Sequence, residues 1–174
     1  MMTLPSSDKI KKIVERSPTD LEEFYRNIIN EIMQGPEEDQ KLLAWVVYAK
    51  RPLSLRELEE ALATQEDSRS QTSIAPYRAK LDKTEALGSN VGVILEITDD
   101  EVHLFHQSAK DFLVKTGQLS TSEFYHGLHP NIYLLKVCLT YLAFKDFESG
   151  LCSSMAVLED RKHQFPLFFY AARY

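Results

Sequence analysis

The sequence predicts a mainly α fold with a small β-hairpin, a winged helix flanked by helical segments. Three observations predict it. Apolar residues recur at 3–4 spacing through most of the chain. Over residues 91–104 the spacing changes to two, and at Ser108 it returns to the helical one. The resulting order within residues 37–117 is helix, helix, helix, hairpin, helix. A hairpin of this kind is unstable alone in water and must dock on the helices, as the wing of a winged helix does.

The elements follow in order. A short helix is expected over 8–16, with Ile10, Ile13 and Val14 on one face, broken by Ser17-Pro18. Thr19-x-x-Glu22 has the form of a capping box, in which the hydroxyl takes the amide of residue 22 and the carboxylate reaches back. Leu21, Phe24, Tyr25, Ile28, Ile29, Ile32 and Met33 then make a wide apolar face, ended by Gly35-Pro36. The next helix spans 37–50, with Leu42, Leu43, Val46 and Val47 inward, widened by Trp45 and Tyr48, and Pro52 stops it. Ser54-x-x-Glu57 is a second capping box, opening a helix over 54–63 that buries Leu55, Leu58 and Leu62. Residues 64–72 are polar and read as a loop. A third helix opens at Ser73 or Ile74, with Ile74, Tyr77, Leu81 and Leu87 inward and Gly88 as its cap.

Val91, Val93, Leu95 and Ile97 alternate with Gly92, Ile94 and Glu96, and Val102 and Leu104 resume the alternation after the turn 98–101. Strands of about seven and five residues are expected. A helix over 108–115 buries Ala109, Phe112 and Leu113 and ends at Gly117. Pro130 suits the first position of a helix running to Phe144. It carries two apolar stripes, Ile132/Leu135/Leu139/Leu142 and Leu134/Val137/Tyr141/Phe144, which predicts burial on nearly all sides. The last run, 165–174, is as apolar and stops without a cap, so the natural protein is expected to continue. The segments divide into a helical lead-in (1–36), the winged helix (37–117) and a helical extension (118–174).

Composition narrows the function. The chain has 174 residues, 44% of them hydrophobic, with seven Pro and six Gly, which excludes disordered and collagen-like classes. No apolar run is long enough to span a membrane, and residues 1–20 lack the apolar core of a secretory signal. Cys138 and Cys152 cannot build a disulfide scaffold, and a cytoplasmic, reduced setting is expected. The net charge is −6, and residues 1–87 and 88–174 each carry −3, so no basic half is concealed.

The chemistry-bearing candidates are few. His103-x-x-His106 and His126-x-x-His129, with Cys138 downstream, have a spacing reminiscent of zinc sites. Residues three apart on a strand point to opposite faces, so no metal is expected. His106, Ser108 and Asp111 are neighbours, but there is no Gly-x-Ser-x-Gly elbow, and Ser and Asp at a helix start are ordinary caps. No catalytic residue is assigned, and no phosphate-cradling Gly-rich loop occurs. As a nucleic-acid reader the third helix would use Arg78, Lys80 and Lys83, but Asp82 and Glu85 sit among them. The wing tip Asp99-Asp100-Glu101 would repel phosphates.

Leu104-Phe-His-Gln-Ser-Ala-Lys-Asp-Phe-Leu113 resembles the hairpin-to-helix junction of the winged helix in NACHT-type STAND NTPases, the fungal NOD-like receptors with C-terminal ankyrin or propeller repeats. Three further stretches are similar and collinear: Leu21-Glu-Glu-Phe-Tyr-Arg-Asn-Ile-Ile29, the run from Leu43 through Trp45 and Pro52 to Leu58, and Pro166-Leu-Phe-Phe-Tyr-Ala-Ala-Arg-Tyr174. The resemblance implies a non-enzymatic regulatory module used in innate immunity or heterokaryon incompatibility. Its partners would be a nucleotide-binding NACHT core and the C-terminal repeats of the same protein, with oligomerisation of the full receptor. ADP or ATP would belong to the parent protein, with no cofactor held by this segment alone. In related proteins a Met-His-Asp motif contacts the ADP β-phosphate. His106 stands at the histidine position, with Phe105 in place of Met and Gln107 in place of Asp. A generic protein-interaction scaffold and a nucleic-acid-binding winged helix are the alternative readings.

Overall fold

Helix α1 (Pro18–Gln34) opens the fold in a computed structural model that describes residues 18–78, 90–117, 119, 129–148, 150, 152 and 154–174. The helix expected over 8–16 lies outside these residues. Proline at the first position costs no hydrogen bond, because the first-turn amides have no helical acceptor. Thr19 is therefore inside the first turn and is not the residue ahead of it; the side-chain bonds of the expected Thr19 capping box lie outside what is described. Leu21, Tyr25, Ile28, Ile29 and Ile32 are buried as their spacing requires.

Helix α2 (Glu37–Tyr48) carries Glu37, Glu38 and Asp39 in its first turn, where carboxylates complement the helix dipole. It is the central helix: its residues from Asp39 to Trp45 are all buried, and it packs on α1, on the sheet and on the C-terminal helices. Beyond Pro52, Leu53–Ser54 forms β1, a two-residue strand that the sequence does not announce. Helix α3 (Leu55–Ala63) follows at once, and the Ser54–Glu57 capping box is present in both directions. Leu55 and Leu58 are buried and Leu62 half-buried.

Ser70 caps the short α4 (Gln71–Ile74), which tightens into a 3-10 turn at Ala75–Tyr77. Ile74 is buried, but Tyr77 is 61% exposed, contrary to expectation. Pro76 interrupts the α-helical period, so Tyr77 no longer follows Ile74 on one helical face. The rest of the expected third helix, with Lys80, Leu81, Asp82, Lys83, Glu85, Leu87 and Gly88, lies outside the described residues.

Asn90–Ile94 is a 3-10 turn and not the first half of a strand. Val91 and Ile94 are buried three residues apart, the period of that turn, while Val93 is only half-buried. The strands proper are β2 (Leu95–Thr98) and β3 (Glu101–Leu104), four residues each. They are shorter than expected because residues 90–94 are coiled into the 3-10 turn; the last rung of the ladder is Phe105 N–H donating to Ile94 O (2.8 Å). Leu95 pairs with Leu104 and Thr98 with Glu101. Asp99 (φ 52°) and Asp100 (φ 68°) form the two-residue turn, with the left-handed backbone that a tight hairpin demands. β1 pairs with the other side of β3, giving an antiparallel sheet in the order β1-β3-β2. The wing is thus stitched to the stem of α3, where Leu55 N–H also donates to Asp100 O (3.0 Å).

Helix α5 (Gln107–Thr116) buries Ala109, Phe112 and Leu113 and ends at Gly117, whose φ of 62° closes the helix as expected. Helix α6 (Pro130–Leu142) buries Leu134, Val137, Cys138 and Tyr141. Its other stripe is not covered: Ile132, Leu135 and Leu139 are exposed, which corrects the expectation of burial on nearly all sides. A 3-10 turn (Lys145–Phe147), α7 (Met155–Gln164) and α8 (Phe168–Arg173) complete the chain. Helix α8 lies on α6 and brings Tyr170 edge-on to Trp45, with ring centroids 5.7 Å apart. One apolar cluster runs from Leu21 to Ala171. No described helix is long and apolar enough to cross a membrane.

Candidate functional site

The junction of wing and helix α5 concentrates the candidate residues. His106 sits in extended backbone as the residue that caps α5. Its Nδ1 accepts the Ser108 amide at 3.2 Å and lies 2.6 Å from Ser108 Oγ. That hydroxyl is in turn 2.8 Å from the Tyr25 hydroxyl of α1. An Nδ1 that accepts a backbone amide carries no proton. The consistent assignment is Tyr25 O–H donating to Ser108 Oγ, and Ser108 O–H to His106 Nδ1. The ring is then the Nε2–H tautomer, and the His106 side chain is exposed. The ring stands at the end of a helix dipole that favours anions.

The neighbours divide differently from a catalytic triad. Asp111 accepts from Gln107 Nε2 at 3.0 Å, so the carboxylate nearest in sequence is held by Gln107. Gln107, standing where the resemblance expects an acid, is thereby turned along its own helix. His103 belongs to β3 and has Glu101 at 3.7 Å. His129 caps α6 by accepting the Asn131 amide (3.2 Å) and sits edge-on to Tyr48. Cys138 is buried in α6, where burial pushes its thiol up to about 11. His126 lies outside the described residues. Among the described residues no group of three His, Cys, Asp or Glu side chains is close enough to hold a metal ion.

Of the basic residues considered for nucleic acid, Arg78 is engaged internally. Its guanidinium donates to Glu60 Oε1 at 2.7 Å and to Gln71 Oε1. Glu60 is a site that sequence reasoning passed over. Only 3% exposed, it accepts from Arg78, from Gln71 Nε2 (2.9 Å) and from the Tyr141 hydroxyl. Its one signal in the sequence is position: Glu57 and Glu60 lie one turn apart on the face that also carries Ala61.

The three-helix stem, the sheet with its two-residue tip and the capped helix behind it are the parts of a winged helix. Residues 27–125 match the family described as the winged helix domain of GPI inositol-deacylase. The chain belongs to this family. No curated protein and no solved structure matches it. The matched span of this winged-helix domain begins within α1 and includes His106 and Ser108, while α6 to α8 lie beyond it.

Proposed function

We propose that this winged helix is a non-enzymatic regulatory module of a NACHT-type STAND NTPase receptor. It couples the nucleotide state of a NACHT core to autoinhibition and oligomerisation, through contacts within the same protein. The single observation that carries the reading is His106: an exposed imidazole whose Nδ1 is fixed from within the domain and whose Nε2–H is left to donate. Such a donor at a helix N-terminus fits one phosphate oxygen of an ADP held by the core. The nucleotide supplies the state signal; His106 acts as a latch on it, and Tyr25 and Ser108 orient the latch. Coupling of this kind is a difference in affinity between two states, not a chemical step.

The test is His106→Ala in the full-length receptor. Loss of ADP retention and a raised resting activity are expected, and unchanged retention and activity overturn the latch. A scaffold role is the second reading, favoured by the exposed stripe Ile132, Leu135 and Leu139 on α6. Association with a purified NACHT core separates the two: strengthening by ADP supports the latch, and indifference to nucleotide supports the scaffold. The acidic wing tip makes duplex DNA an unfavourable partner, and no mobility shift on random duplex at low salt is expected.

A further inference from the structure

A cavity of about 210 Å³ opens between the end of α2, strand β3 and the first turn of α5. His106 does not line it. The lining includes Lys50, Arg51, His103, Gln107 and Lys110 against an apolar wall at Val102, and it includes no aspartate or glutamate. That concentration of cations is unexpected in a chain of net charge −6. Arg51 is already matched, since Glu57 grips its guanidinium at 2.6 and 2.9 Å. Among the described residues neither Lys50 nor Lys110 makes an ion pair, and the nearby Glu101 carboxylate lies beside His103 (3.7 Å) instead. Gln107, with its Nε2 on Asp111, still has a carbonyl and a second N–H to offer.

The size restricts the ligand. Drug-sized molecules occupy pockets of about 300–1,000 Å³, and a single water takes about 30 Å³. The cavity therefore encloses a group of a few heavy atoms, and any larger remainder of the ligand would lie in its open mouth. Its charge asks for a dianion, which a carboxylate is not. The geometry points to a site for a phosphate group, free or as the monoester of a small molecule, clasped between Lys50 and Lys110. The site is separate from the proposed latch: it uses different residues, and it requires no NACHT core.

The test titrates the folded domain with inorganic phosphate and, separately, with glycerol 3-phosphate at constant ionic strength. Amide and side-chain NMR shifts of Lys50, Leu104, Gln107 and Lys110 are the readout. Saturable shifts are expected, weakened about tenfold by each of Lys50→Gln and Lys110→Gln and abolished in Lys50→Glu/Lys110→Glu. None of these variants touches His106, Ser108 or Tyr25, so failure here and failure of the latch are separately visible. Saturation by both ligands identifies a monoester site, and saturation by phosphate alone identifies a free-anion site. Shifts that do not saturate, or that persist in the charge-reversed variant, overturn the proposal. The lysines carry no ion pair, so the glutamine variants are expected to fold, as retained near-UV dichroism from Trp45 checks.

Discussion

The wing and the C-terminal helices share one apolar core but differ in the polar devices that fix them. The wing buries Leu95 and Val102 in that core, and its junctions are closed by part-buried or exposed polar groups: the Ser54–Glu57 box, the Asp99-Asp100 turn, the Gly117 cap and the Tyr25–Ser108–His106 chain. The C-terminal helices are held by a buried seam. Tyr141, Phe144, Phe147, Phe165 and Phe168 pack ring on ring, and Tyr141 delivers its hydroxyl to Glu60. Two more bonds cross the same seam, from the Gln71 amide to Asp146 (2.9 Å) and from the Lys145 amide to Arg69 O (2.9 Å). Exposed hydrogen bonds exchange readily with water and are each worth little, whereas buried ones are costly to leave half-made. The difference separates a part of the molecule suited to changing partners from a part suited to holding its place.

Breaking the seam is the strongest challenge to that contrast. Glu60→Ala strands the Arg78 guanidinium, Gln71 and the Tyr141 hydroxyl together. Loss of one member of a buried ion pair costs about 3–5 kcal/mol, and Arg78 is a third exposed, so about 3 kcal/mol is expected. Urea unfolding followed by Trp45 fluorescence measures it. A loss below about 1 kcal/mol, the range of an exposed pair, would mean that the seam is no firmer than the wing.

Alkali probes the same seam next. Burial raises Cys138 from 9 to about 11 and raises Tyr133, Tyr141 and Tyr170 above their ordinary 10, with the Glu60 charge adding to burial at Tyr141. These are acids whose folded values exceed their unfolded ones. The unfolded chain therefore loses protons first as pH rises. Stability is whole below pH 9 and falls from there upward, with Cys138 alone accounting for about 2 kcal/mol by pH 11. Cys138→Ala is expected to flatten the slope between pH 9 and 11, measured as unfolding free energy against pH. An unchanged slope would mean that this part of the seam admits water.

These two regions were also unequally legible. Ser54-x-x-Glu57 and Gly117 are visible in the sequence because their chemistry is complete within three or four residues. The junction that carries His106 is visible for the same reason. Strand β1 is not, because Leu53 and Ser54 become a strand only by meeting Val102 and Glu101. Residues 91–97 mislead because a period of two and a period of three coincide over so short a run: both pass through Val91 and Ile97. Glu60 is hidden by its own charge, since a glutamate on a helix reads as solvated until Tyr141, 81 positions away, reaches it. The basic cavity is hidden because its lysines come from two distant stretches whose local charge is unremarkable.

On the wing side the effects are expected to be smaller. Ser108→Ala removes the middle of the Tyr25–Ser108–His106 chain while leaving the Ser108 amide on His106 Nδ1. A loss of about 1 kcal/mol is expected, the net value of one such hydrogen bond. Under the latch proposed above, the same variant is expected to weaken ADP retention by the parent protein less than His106→Ala does, since it loosens the ring without removing it. A loss of about 3 kcal/mol, equal to that at Glu60, would place the junction in the rigid part of the molecule.

The smallest effect tests whether the wing tip is built for stability at all. Asp99 and Asp100 both occupy the left-handed region, where a residue with a Cβ is strained and aspartate only partly compensates. Type I′ turns favour glycine at the second position for this reason. Asp100→Gly relieves the strain and removes one of two neighbouring like charges, so a gain of about 0.5 kcal/mol is expected. The Asp100 carbonyl still accepts from Leu55, because that bond uses the backbone alone. A gain would show that the acidic tip is kept at a cost in stability, which is what selection for a charged contact surface requires. A loss would mean that the aspartate side chain braces the turn, and the charge of the tip would need no further reason. Asp100→Asn decides between strain and charge: it tolerates the same backbone conformation without the negative charge, and differs from Asp100→Gly only in what strain is worth.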